Sequence, residues 1–286
     1  MFKKSPLKKT RLHKKKRRKL LLKIAGVFLI LIALVVGISW LSRLKMLNLS
    51  SIQVEGNAAV SAEEIEVIAQ RHLEGMFYYL FPRSNKFFYN KDDILQDIIT
   101  TIPRVKEVEL SGKGQTLVIS ILERAPAYTW CTGTPKKTKE DCYFIDNDGF
   151  IFSKAPTFSG NAYVAFYGLV QGETPIGSSY LDKKTFLNLD GIIEFFKEKQ
   201  IPTYALLASS NGNFELYFEQ GGKLIFKNTQ ASTTVTSNVD LFMRDTKILS
   251  AAQLPLLDYL DVRFGNKLYV KLKGDNPLQL QSESGV

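Results

Sequence analysis

Residues 24–42, IAGVFLILIALVVGISWLS, form an unbroken run of 19 residues without a charged side chain. As a helix rising about 1.5 Å per residue, such a run matches the roughly 30 Å hydrocarbon core of a bilayer. No other stretch of the chain approaches it, so the sequence predicts one membrane crossing. A cleaved signal peptide also begins with a basic and then an apolar region. Here the apolar part is long and ends in Trp40, Leu41, Ser42 and Arg43, with no small-x-small pair at a convincing distance. The reading is therefore an uncleaved anchor, with the amphipathic ring of Trp40 at the outer membrane interface.

Ahead of the run lie Lys3, Lys4, Lys8, Lys9, Arg11, Lys14, Lys15, Lys16, Arg17, Arg18, Lys19 and Lys23, with no acidic residue among them. This asymmetry orients the N-terminus toward the cytoplasm and the bulk of the chain to the far side. It also accounts for the whole net charge of +10: without those twelve, residues 24–286 carry 26 basic and 28 acidic side chains. The basicity belongs to the tail, where anionic lipid heads attract each cation by about 1 kcal/mol. Nucleic acid is not an expected partner.

Beyond the anchor, Ile52 and Val54 alternate with Gln53 and Glu55 before Gly56-Asn57, which reads as a strand ending in a turn. Ser61 and Glu64 have the spacing of a capping box, and Ile65, Ile68, Ala69 and Leu73 share one helical face. A second helix is expected from about Asn90 through Ile94, Leu95, Ile98 and Ile99 to Pro103, followed by strands over 105–110 and 116–123. Strand, helix, helix, strand, strand is a small α+β unit with both helices on one face of a sheet. Ile52-Gln-Val-Glu-Gly-Asn57, Ser61-Ala-Glu-Glu64, Ile102-Pro-Arg-Val105 and Leu117-Val-Ile-Ser-Ile-Leu-Glu-Arg-Ala-Pro126 together resemble a POTRA domain of the FtsQ/DivIB family of bacterial cell division proteins. The resemblance continues through Ala127-Tyr-Thr-Trp130, Phe144-Ile-Asp146 and Asp148-Gly149 into a β-rich second domain, and through Asp261-Val-Arg-Phe264 and Lys267-Leu-Tyr-Val-Lys271 into its closing strands. The expected organisation is a basic tail (1–23), a transmembrane helix (24–43), a POTRA domain (48–123), a β-rich mixed domain (124–273) and a loose tail (274–286). Within the second domain, Phe186, Leu189, Ile193 and Phe196 predict one helix, and Val235, Val239, Phe242 and Leu249 another.

Chemistry-bearing patterns are scarce. His13 and His72 have no nucleophile or ligand cluster beside them, and no serine lies in a Gly-x-Ser-x-Gly elbow or a supported S-x-x-K pair. Asp146-Asn147-Asp148-Gly149 opens like a calcium loop, but its Gly is too early and the bidentate Glu is missing, so it reads as a hairpin turn. The sequence therefore predicts no enzyme and no cofactor or metal. Cys131 and Cys142 flank a turn-rich segment between two strand-like runs, and a disulfide across that hairpin is favoured over free thiols. Phe77, Tyr78, Tyr79, Phe81, Phe87, Phe88 and Tyr89 crowd the segment between the first two outer helices. The expectation is that they fill the helix–sheet core, and the competing reading is contact with the membrane interface or a partner helix.

In the final strand Leu268, Val270 and Leu272 point one way, and Lys267, Tyr269, Lys271 and Lys273 the other. Lysines are what an exposed sheet edge carries to discourage uncontrolled pairing. The family resemblance implies that a partner segment adds there as a further strand, read by side chains such as Arg263, Phe264, Asn266 and Tyr269. It further implies a bitopic, noncatalytic scaffold at the division septum. The implied partners are the small coiled-coil proteins FtsB/DivIC and FtsL and the septal peptidoglycan synthesis machinery. Two other readings are a POTRA-type chaperone or docking module of outer-membrane assembly or secretion, and an anchored cell-wall hydrolase. The first lacks repeated POTRA units and a barrel, and the second lacks a nucleophile, base and metal cluster.

Overall fold

The computed structural model describes residues 11–135, 141–168, 170, 174–246, 253–265, 267–274 and 278–280. Leu249 and Asn266, and the part of the basic tail ahead of Arg11, lie outside the described residues. The architecture is α+β in two compact units, residues 1–101 with 107–122 and residues 102–106 with 123–286, the first of which opens with an N-terminal apolar helix.

Helix α1 runs Arg11–Ser42, and its segment Lys16–Ser42 is long and apolar enough to cross a membrane. From Leu20 to Ile38 its large apolar side chains face outward, the pattern of a helix whose solvent is lipid. The rest of the first unit is β1 (Ser51–Glu55), α2 (Ala62–Leu73), a small hairpin of β2 (Met76–Phe77) and β3 (Phe81–Pro82), α3 (Lys91–Thr101), β4 (Val105–Lys113) and β5 (Thr116–Glu123). β5 is central in the sheet order β1-β5-β4, and β1 runs parallel to it with Ile52 opposite Leu117 and Val54 opposite Ile119. The predicted stripe Ile65, Ile68, Ala69 and Leu73 is buried, and from α3 Ile94 and Ile98 are buried while Ile99 stays exposed. Ser61 occupies the N-cap position of α2, yet its side chain makes no capping hydrogen bond, so only the spacing of the capping box is realised. Gly56 closes β1 at φ +83°, where an added Cβ would stand 2.3 Å from the Ile121 carbonyl oxygen, a position only glycine fills.

The second unit holds β6 (Tyr128–Cys131), β7 (Cys142–Ile145), β8 (Ile151–Lys154), β9 (Ala165–Tyr167), α4 (Lys183–Glu198), β10 (Thr203–Ala208), β11 (Asn213–Phe218), β12 (Lys223–Lys227), α5 (Ser232–Thr246), β13 (Leu257–Phe264), β14 (Lys267–Leu272) and β15 (Leu278–Leu280). They form one sheet of ten strands, β15-β14-β13-β12-β11-β10-β9-β6-β7-β8. Hairpins give antiparallel pairs, whereas the crossovers through α4 and α5 make β9–β10 and β12–β13 parallel. Phe186, Leu189, Ile193 and Phe196 of α4 and Val235, Val239 and Phe242 of α5 are buried with Phe166, Leu206, Leu216, Phe226, Leu260 and Val270 of the sheet. Both helices thus cover one face, as the periodicities require. Asp182 caps α4 by accepting the Thr185 N–H at 3.0 Å. Cys131 and Cys142 are paired across β6 and β7, with their Sγ atoms bonded at 2.00 Å. Closing so short a loop contributes at most about 3 kcal/mol.

Two sequence motifs meet at the start of this unit. Arg124 donates to Asp146 at 2.5 Å and to the Pro103 carbonyl at 3.1 Å, and its guanidinium lies 4.0 Å over the Phe150 ring. Asp146 is buried and also accepts the N–H groups of Asp148 and Phe150, so its carboxylate organises the turn into β8. Gly149, at φ +84°, completes it as the hairpin turn expected in place of a calcium loop. Asp148 in the same turn receives Lys106 on one oxygen and Lys183 on the other, each at 2.8 Å. Those two ammonium groups hold its pKa down at about 2.

A carboxylate depressed in the folded state stabilises the fold above its ordinary pKa near 3.8 and loses that contribution as pH falls through about 2. Asp148→Asn is therefore expected to lower the unfolding temperature at pH 6, with the difference from the parent shrinking between pH 4 and pH 2. Thermal scans at the two ends of that window check it.

Candidate functional site

The closing hairpin β13–β14 brings together the residues expected to recognise a partner. Its register shifts twice, between Leu257 and Tyr259 and again at a one-residue bulge before Phe264: Asp261 faces Tyr269, but Phe264 faces Lys267. Without the bulge, alternation from the buried Leu260 and Val262 would turn Phe264 into the core. The extra residue re-aims it outward, as bulges do. Phe264 is 52% exposed and meets the Tyr269 ring edge-on, with centroids 5.3 Å apart.

Arg263 completes this cluster. Its guanidinium reaches Asp261 through two hydrogen bonds, Nε to Oδ1 at 2.9 Å and Nη2 to Oδ2 at 2.6 Å, and stands 5.5 Å over the Phe264 ring. The carboxylate contacts push the Arg263 pKa further up. Two residues apart on one strand, the pair shares a face, and Asp261 is buried beneath it. Asp261 thus fixes the direction of Arg263, a role the Asp-x-Arg spacing encodes but the site expectation omitted. Three of the four expected recognition residues, Arg263, Phe264 and Tyr269, lie together; the fourth is Asn266.

The expected open edge is corrected. β14 is not the last strand: β15 pairs antiparallel along its outer side, setting Leu268 opposite Leu280, Tyr269 opposite Gln279 and Val270 opposite Leu278. Residues 278–280 are therefore strand where a loose tail was expected. The cause is the edge itself, because unpaired N–H and C=O groups along β14 accept whichever strand is nearest. After the turn at Gly274, φ +92°, the nearest segment is the chain's own. The predicted alternation on β14 does appear, with Leu268, Val270 and Leu272 packed on the core.

The buried Asp261 and the exposed Phe264 should separate sharply under mutation. Asp261→Ala strands a partly buried guanidinium and is expected to cost about 2–3 kcal/mol. Phe264→Ala should stay within about 0.5 kcal/mol of the parent. Denaturant titration of the two variants measures both.

No protein-family model matches this chain. Among curated proteins it is similar to the cell division protein DivIB of Clostridium botulinum, in strain Hall and strain Loch Maree, at 25% identity over 166 residues in each case. Each match covers 58% of this chain and 58% of the relative's length. The chain is thus similar to DivIB cell division proteins over somewhat more than half of their length, and its apolar helix and the α+β architecture agree with that likeness.

Proposed function

We propose that this chain is a bitopic, noncatalytic scaffold of the bacterial division machinery, held in the cell membrane at the septum with its N-terminus in the cytoplasm. The names of its relatives support the division role, the twelve basic residues before the apolar run support the orientation, and α1 supports the single span. In this reading the β1-α2-α3-β4-β5 unit is a POTRA domain, and the ten-stranded unit recruits the partner. The partners are short segments of small coiled-coil division proteins of the FtsB/DivIC and FtsL type, and through them the septal peptidoglycan synthesis machinery.

The observation that carries the recruitment step is the pairing of β15 along β14. An edge that takes three residues of the chain's own C-terminal region is geometrically fit to take a longer strand from another protein. Main-chain hydrogen bonds supply affinity, and Arg263, Phe264 and Tyr269 supply selectivity beside them. The partner strand displaces β15, whose described pairing with β14 runs from Leu268 opposite Leu280 to Val270 opposite Leu278.

Phe264→Lys combined with Tyr269→Lys is expected to weaken binding of the coiled-coil partner roughly tenfold or more. Ending the chain after Gly274 is expected to strengthen binding, because the edge is then free. Calorimetry with the partner's extracytoplasmic segment measures both, and unchanged affinity in both variants would remove β14 as the docking strand.

A further inference from the structure

The aromatic segment between α2 and α3 does not fill the core. Between the paired residues Phe77 and Phe81 the chain reverses through Tyr78, Tyr79 and Leu80, with the Leu80 N–H donating to the Phe77 carbonyl at 2.9 Å. Tyr78 and Tyr79 have φ of +49° and +61°, the signature of a type I′ turn. Such turns favour Asn-Gly, because a Cβ at positive φ crowds the backbone. Here both positions carry tyrosine, and the rings are 89% and 90% exposed. Strain is thus accepted to project two large amphipathic rings that touch almost nothing in their own chain.

The height of those rings is fixed by α1. Ser39 Oγ donates to the Leu80 carbonyl at 2.7 Å, Arg43 Nη2 donates to the Tyr79 carbonyl at 3.3 Å, and Asn85 Nδ2 donates to the Ser42 carbonyl at 2.9 Å. Ser39 and Ser42 are buried by these contacts, in contrast to the outward-facing apolar side chains that precede them. The hairpin tip is therefore fastened to the last turn of the helix. With residues 24–42 matching the hydrocarbon thickness, that turn lies where acyl chains give way to headgroups. Trp40 is exposed on the same turn, and Arg83 and Lys86 stand over the rings of Phe77 and Phe87 at 5.2 and 5.9 Å.

We propose that the Tyr78-Tyr79 turn is a membrane-interface anchor: with Trp40 it embeds in the headgroup region of the leaflet at the C-terminal end of α1, holding the first unit against the bilayer. Tyrosine suits this layer because its ring prefers the apolar side and its hydroxyl the wet side. The inference rests on α1 being a true span.

The experiment uses the full chain in phosphatidylcholine–phosphatidylglycerol vesicles. Among the described residues both cysteines are in the disulfide, so a single added cysteine carries a nitroxide label without other changes. Labels at Tyr78→Cys, Tyr79→Cys, Ile30→Cys and Phe264→Cys are compared for relaxation by oxygen, which enters lipid, and by a water-soluble nickel chelate. Positions 78 and 79 are expected to be several-fold less accessible to nickel than position 264, at a depth shallower than position 30. If position 30 is deep but 78 and 79 match 264, the anchor is overturned and the rings belong to a protein contact. If position 30 itself is open to nickel, the span reading falls and the anchor with it.

Discussion

A main-chain polar group that loses water must find another partner, and that requirement governs both ends of this molecule. In α1 the helix satisfies its own N–H and C=O groups through the apolar run, but its last carbonyls have no helical donor left. Side-chain amides supply it: Asn48 Nδ2 reaches the carbonyls of Ser42 and Leu44, and Asn85 Nδ2 reaches Ser42 as well. Because Asn85 sits beyond the β2–β3 hairpin, capping the helix also fastens the aromatic turn to it. In the ten-stranded sheet, backbone groups of β8 and β14 find partners by the same rule. Ile151 of β8 bonds to Ser178 and Gly177 at 2.9 and 2.8 Å, and β14 takes β15.

These two closures differ in permanence. The segment beside β8 is followed directly by Asp182 and α4, whose apolar face is built into the core. By contrast, among the described residues β15 pairs with β14 alone. The proposed strand exchange needs an edge that is covered when idle and available when a partner arrives, and a strand of the chain's own that is not built into the core meets that need.

Much of this was legible in the sequence, because the responsible signals are local and periodic. The stripes Ile65, Ile68, Ala69, Leu73 and Phe186, Leu189, Ile193, Phe196 mark buried helix faces, and the apolar run within Thr116–Glu123 and the alternation in Lys267–Leu272 mark strands. What was not legible depends on the ladder or on unusual backbone. The outward turn of Phe264 follows from a one-residue bulge that no alternation rule anticipates. Seven aromatics in thirteen residues look like core until positive φ at Tyr78 and Tyr79 turns two of them out. Leu278, Gln279 and Leu280 are too few to show a period, so their strand is visible only once β14 offers an edge. Ser61 shows the converse, a capping residue whose spacing is right but whose side chain makes no capping bond.

Amide hydrogen exchange over residues 267–272 decides whether β14 is an exchangeable docking edge. If it is, ending the chain after Gly274 strips protection from the β14 amides that face outward, and adding the coiled-coil partner's segment restores it. Protection that is indifferent both to the truncation and to the partner would rule that role out.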